Sequence, residues 1–279
     1  MISHTQSPVS GLTDRQALSR NRQRALRNGP VDFLHRIALD EIQDRLIEVN
    51  RTFKDIAIVT AMPDLWQAAF PGAKILADDE TLDLAQGAHD LVIHALALHW
   101  ADDPVGQMVQ SARALRPDGL FIAALPGGRS LHELRDSLTR AEAEVVSGLS
   151  PRVLPMGEIR DLGGLLARAG LALTVADQVS QAVSYRNLFH LASDLRAMGE
   201  TNALAARPRH LTRRKVMMRA AEHYQQDYPD PENPDRIIAT FDMIYLTGWA
   251  PAANQQKPLR PGSAKMPLAE ALASKRNAN

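Results

Sequence analysis

The feature that most constrains this chain is a rhythm of short apolar runs separated by stretches of helical spacing. The runs are Ile56-Ala57-Ile58-Val59, Lys74-Ile75-Leu76-Ala77, Leu91-Val92-Ile93 and Leu120-Phe121-Ile122-Ala123-Ala124-Leu125. Between them, Asp64-Leu65-Trp66-Gln67-Ala68-Ala69 suits one or two helical turns and Val105–Leu115 reads as a longer helix. Pro117-Asp118-Gly119 then supplies a turn, because proline presets φ and glycine accepts backbone angles closed to other residues. Strand, helix, strand in this order implies crossover units and a parallel sheet.

The flanks carry the same kind of signal. Leu34, Ala38, Ile42, Leu46 and Val49 form one stripe of an amphipathic helix. Helices are predicted over 130–146, over 161–169 closed by Gly170, and over 187–198 and 213–226, with strands over 171–176, 179–183 and 237–245. Residues 1–13 lack periodicity, and 14–27 hold Arg15, Arg20, Arg22, Arg24 and Arg27 without a lysine. Residues 251–279 are polar and contain four prolines. The predicted organisation is a flexible basic arm over 1–29, a folded domain over 30–250 and a tail over 251–279. That domain divides into a core at about 53–176 and a C-terminal insertion at about 177–250.

Composition excludes several chemistries. With no cysteine among 279 residues, thiol catalysis, thiolate zinc sites, iron–sulfur ligation and disulfides are absent. Thirty-two basic and 32 acidic side chains give a net charge of zero, which argues against nucleic acid as a bulk partner. No run approaches the roughly 18 apolar residues of a membrane span, and the start lacks the apolar centre of a signal peptide. The expected setting is cytoplasmic, with any membrane contact peripheral and through a partner.

At Ala97-Leu98-His99-Trp100 the chain meets a known pattern. HDLVIHALALHWADDP (89–104) with ALRPDGLFIAALPGGRSLHELR (114–135) after it resembles the second half of a class I methyltransferase core. The likeness extends to DLGGLLARAG (161–170), Asp194-Leu195, Met198-Gly199-Glu200, Asn202, FDMIYLTGW (241–249) and QQKPLRPGSA (255–264). This set is similar to one branch of the superfamily: the mitochondrial complex I assembly factor with its alphaproteobacterial relatives and, more distantly, the malonyl-carrier-protein methyltransferases of biotin synthesis. The resemblance covers about 14–264. It implies a three-layer α/β/α Rossmann-like fold, here with a reduced sheet, an N-terminal helical arm and a C-terminal α+β insertion. It also implies S-adenosylmethionine as cofactor, and a protein client, a respiratory complex I subunit.

The first half departs from the family. The cofactor there lies over a glycine-rich turn after the first strand, where bare backbone approaches it closely. Laid on this chain, the family's acidic position falls at Ile58 and its glycines at Thr60, Met62 and Asp64. None is glycine, and Pro63 restricts the turn further. From Ile56 to Leu91 the chain advances 35 residues, room for one crossover unit of roughly 30 residues and a short extra strand. Asp78 or Asp79 would be the carboxylate that grips the ribose, or else Ile75–Glu80 stands for the family's third strand; both readings stay open. The expectation is a degenerate member that does not hold the cofactor and acts by binding. The alternatives are an active methyltransferase or an enzyme that uses the cofactor for altered chemistry such as arginine modification. A heterodimer with an intact paralogue would also complete the pocket.

Other candidate groups carry two readings each. The arginines of 15–27 dock an acidic protein partner or anionic lipid headgroups, or form a solvated helix. His99 and Trp100, after the fourth family strand, face the substrate or fill the core. His132, in His132-Glu133-Leu134-Arg135, faces the substrate or belongs to a helix start; Asp136 rules out the zinc-protease pairing. Tyr185, with Arg186, Tyr245 and Trp249, forms a polypeptide-binding surface or a small second core. No metal-ligand spacing or phosphate loop is present.

Overall fold

The computed structural model describes residues 11–256. A six-stranded mixed sheet of order β2-β1-β3-β4-β6-β5 forms its centre. The strands are β1 (Ile56–Thr60), β2 (Lys74–Leu76), β3 (His89–Ala95), β4 (Leu115–Gly127), β5 (Ala172–Tyr185) and β6 (Ile237–Trp249). The first four are parallel, and β6 pairs antiparallel with both β4 and β5.

Alternate residues of each central strand enter different cores, as the two-residue period of a strand requires. Ile58, Leu91, Ile93, Leu120, Ile122 and Tyr245 face one cluster. It is covered by α2 (Phe33–Val49), α3 (Pro63–Ala69), α5 (His132–Val146), α7 (Leu188–Ala197) and α8 (Arg214–Asp227). Ala57, Val59, Val92, Phe121, Ala123 and Leu246 face the other, closed by α4 (Pro104–Ala114) and α6 (Ile159–Arg168). The result is the expected three-layer α/β/α arrangement, and burial on both sides explains why these strands read as unbroken apolar runs.

Local chemistry sets the helix starts. Asp14, Asp103 and Asn187 accept backbone N–H groups of Ala17, Gly106 and His190, satisfying donors that the first turn leaves open. Gly170 closes α6 at φ +84°.

Several boundaries differ from the sequence reading. The two strands predicted over 171–176 and 179–183 are one strand, because β6 pairs along it from Ala172 with Trp249 to Tyr185 with Ile237. The boundary at 176 therefore falls inside β5, and the part outside the sheet shrinks to residues 186–236. The flexible arm is also corrected: α1 (Arg15–Arg27) is a helix whose Ala17, Leu18, Arg22 and Ala25 are buried against the body. Residues 1–10 and the tail beyond 256 lie outside the described residues. As the 35-residue spacing implied, β2 returns to β3 on the far side of β1 through residues 77–88, and no helix covers that crossover.

Candidate functional site

The chain runs from β1 outward to β2 and then back to β3 on the other side of β1. That reversal makes the C-terminal ends of β1 and β3 the place where an open parallel sheet binds ligands. Two cavities lie there, one over β1 and β2, the other over β3 and β4.

The first cavity, about 480 Å³, is lined by Thr60, Ala61, Pro63, Asp78 and Asp79 on the sheet side, and by Arg15, Leu18 and Arg22 of α1 on the other. Ile58 is fully buried inside β1. Thr60 is buried and its Oγ1 accepts the Met62 N–H at 3.1 Å, closing a turn built of side chains. Met62 is buried, Pro63 opens α3 and Asp64 is exposed in its first turn. Asp79 is exposed, and only its carbonyl is engaged, by Gln107 Nε2 at 3.1 Å.

Asp78 is different. It is 5% exposed, and Arg22 Nη1 donates to its Oδ1 at 2.6 Å. Arg15 Nη1 reaches Oδ2 at 3.4 Å, and Arg15 Nη2 donates to the Asp78 carbonyl. The helix spacing produces this: Arg15, Leu18, Arg22 and Ala25 succeed one another at steps of three, four and three, so they share a face. The carboxylate at the end of β2 thus meets two guanidinium groups of its own chain. Arg22 Nε and Nη2 are buried and have no hydrogen-bond partner among the described residues.

The second cavity, about 200 Å³, is bounded by apolar side chains such as Leu34, Leu96, Leu134, Leu154 and Phe241, with His99, Trp100, Arg152 and Glu200 as its polar edge. Leu96 takes φ +49° directly after β3, which turns the chain into the short 3-10 segment Leu98–Trp100. Trp100 Nε1 donates to Glu200 Oε2 at 2.6 Å, and His99 Nε2 lies 3.0 Å from the same oxygen. Burial alone would push the Glu200 carboxyl up. The charge and hydrogen bond of His99, the nearby Arg22 guanidinium and the Trp100 N–H outweigh it and hold the group down to about 2. Oε1 of Glu200 makes no hydrogen bond among the described residues, and 24% of this side chain remains accessible beside the cavity.

The other predicted residues lie elsewhere. His132 is half-buried at the start of α5, bonded to the Arg129 carbonyl at 3.0 Å and packed edge-on against Tyr228. Tyr185 is 1% exposed at the end of β5, and Tyr245 is fully buried. The aromatic set is core, and neither His132 nor Tyr185 lines the second cavity. Glu200 received no role from sequence beyond its place in the Met198-Gly199-Glu200 likeness. Its partners His99 and Trp100 stand about a hundred positions away. No cluster of three metal-ligating side chains occurs among the described residues.

Comparison with known proteins gives the family of the chain. A family model described as a methyltransferase domain matches residues 42–123. The protein named Arginine-hydroxylase NDUFAF5, mitochondrial, from Danio rerio is 31% identical over 265 residues, covering 86% of this chain and 82% of the relative. The chain belongs to the NDUFAF5 branch of the class I methyltransferase superfamily. The human member of that branch is 35% identical over 222 residues, 80% of this chain but 64% of its own length, so the chain spans less than two thirds of that relative. A malonyl-[acyl-carrier protein] O-methyltransferase from Laribacter hongkongensis is 33% identical over 190 residues, covering 68% of this chain and 61% of that one. Among solved structures, the YcgJ protein from Bacillus subtilis matches with a TM-score of 0.48 at 11% identity, covering 73% of this chain and 94% of that one.

Proposed function

We propose that this methyltransferase-superfamily protein no longer transfers methyl groups and works by binding a protein client, a respiratory complex I subunit by its family likeness. The carrying observation is the Arg22–Asp78 pair at 2.6 Å. Asp78, one of the two carboxylates that the resemblance offers for the ribose hydroxyls, is engaged by the chain's own α1.

The residues around β1 do not fit S-adenosylmethionine. Thr60 and Met62 carry side chains where the family has bare backbone, and Thr60 Oγ1 is spent on the Met62 N–H. Methyl transfer depends on holding the sulfonium carbon in line with the acceptor, and a cofactor ungripped at ribose and carboxypropyl ends lacks that alignment. An intact paralogue in a heterodimer would restore the missing grip. No described helix is long and apolar enough to cross a membrane. The setting that goes with this reading is the cytoplasm, with contact to a membrane made through the client.

One observation favours a second reading, an enzyme that modifies a client's arginine. A cavity is present at His99 and Trp100, and at its polar edge Glu200 offers a carboxylate oxygen with no hydrogen bond among the described residues, while the relatives are named arginine-hydroxylases. Thermal unfolding with about 1 mM S-adenosylmethionine separates the two. A site with Kd of about 10 μM would add about 2.7 kcal/mol by mass action, or roughly 5–10 °C in Tm. We expect no shift; a saturable rise of that size would move the assignment to the enzyme.

A further inference from the structure

The arginines of α1 divide between two faces. Arg15 and Arg22 turn inward to Asp78, whereas Arg20, Arg24 and Arg27 recur at steps of four and three and are exposed. The side chains of Arg20 and Arg24 have no hydrogen bond or ion pair among the described residues. They line a groove of about 340 Å³ with Arg152, Arg207 and His210, and no carboxylate side chain lines it. Arg152 and Arg207 are themselves held by Glu142 and Asp14, so the uncompensated charge is that of Arg20 and Arg24.

This groove adjoins the apolar cavity. Arg152, Thr201 and Asn202 belong to the walls of both. A ligand seated in the cavity by one side chain would carry its neighbouring residues into a cationic trough.

We propose that the trough binds an acidic polypeptide segment, carboxylates on Arg20 and Arg24, flanking the side chain that enters the cavity beside Glu200. The inference rests on the client-binding reading and adds the charge of the client. Charge complementarity selects an acidic sequence: planar guanidinium groups take carboxylates in paired hydrogen bonds. The concave form beside the cavity favours a chain over a flat lipid surface. Complementary charge of this kind sets partner choice and encounter rate.

The test uses fluorescence anisotropy of the full chain with a labelled synthetic peptide of consecutive glutamates beside one leucine. A lysine-for-glutamate version and vesicles containing phosphatidylglycerol are run in parallel. The expected result is saturable binding of the glutamate peptide alone, weakened about tenfold or more in the double variant R20E/R24E and by raised salt. Unchanged Tm in that variant is expected, since both side chains are exposed and unpaired. Equal binding by wild type and variant overturns the proposal. So does equal binding of the lysine peptide, or binding of the vesicles without the glutamate peptide. Cofactor binding is read separately, because no residue of the groove belongs to the β1–β2 ends; a Tm rise with S-adenosylmethionine would leave this result standing.

Discussion

Removing Arg22 is the sharpest perturbation of the α1 contact. In Arg22→Met the helix keeps its length and most of its apolar packing, but Asp78 loses the 2.6 Å bond to a guanidinium whose side chain is only 10% exposed. The Asp78 side chain is 8% exposed, so its charge is left largely desolvated. Breaking one partner out of a buried pair costs about 3–5 kcal/mol, because the remaining charge is left desolvated. Arg15, at 3.4 Å, compensates in part and places the expectation at the lower end, about 3 kcal/mol. For a chain of this size that is a fall of roughly 6–12 °C in Tm. The double variant Arg22→Met/Asp78→Leu removes both charges and should recover most of the loss, since a buried pair exchanged for apolar side chains is often neutral. Urea unfolding of wild type, both single variants and the double gives the coupling directly. A single variant within about 1 kcal/mol of wild type would refute the reasoning. So would a double variant as unstable as Arg22→Met.

Acid sensitivity should arise from the buried imidazoles. Burial lowers His35 and His94 from 6.5 to about 4, so both are neutral in the fold; the stability they contribute is complete above pH 6.5 and erodes as the pH falls toward 4. The urea midpoint should decline across that window, and a flat profile would show these rings to be solvated. Glu200, held near 2 against an ordinary 4.5, loses its contribution only below pH 4.5. Glu200→Gln should therefore cost about 2–3 kcal/mol at pH 7 and progressively less under acid, as read by unfolding at both pH values. Gly199→Ala should cost about 1–3 kcal/mol and raise tryptic cleavage in α1, because Gly199 sits at φ +82° and a Cβ there would lie 3.1 Å from Arg22 Cα.

The sheet was legible where burial is two-sided. Ile58, Ile93 and Ile122 stand in register across β1, β3 and β4, and such strands show as apolar runs with no polar interruption. β5 was not legible as one strand because it is an edge. Its Asp177-Gln178 pair, set between Val175-Ala176 and Val179, looks like a turn until β6 is known to pair along it. The proposed loss of the cofactor grip was read from sequence, from Thr60 and Met62 standing where the resemblance sets glycine. The contact that α1 makes there was hidden. Arg22 and Asp78 are 56 positions apart, and an arginine-rich helix gives no sign of which guanidinium turns inward. Likewise Tyr185 and Tyr245 read equally well as surface or core, since an aromatic ring serves both and only the packing of α2, α7 and α8 buries them.

The most direct measurement is a crystal structure of the full chain grown with saturating S-adenosylhomocysteine. The expected density shows Arg22 Nη1 still on Asp78 Oδ1, with no nucleoside against Thr60 and Met62. Density for the nucleoside there, with its ribose on Asp78 and α1 displaced, would contradict the loss of methyl transfer at its root.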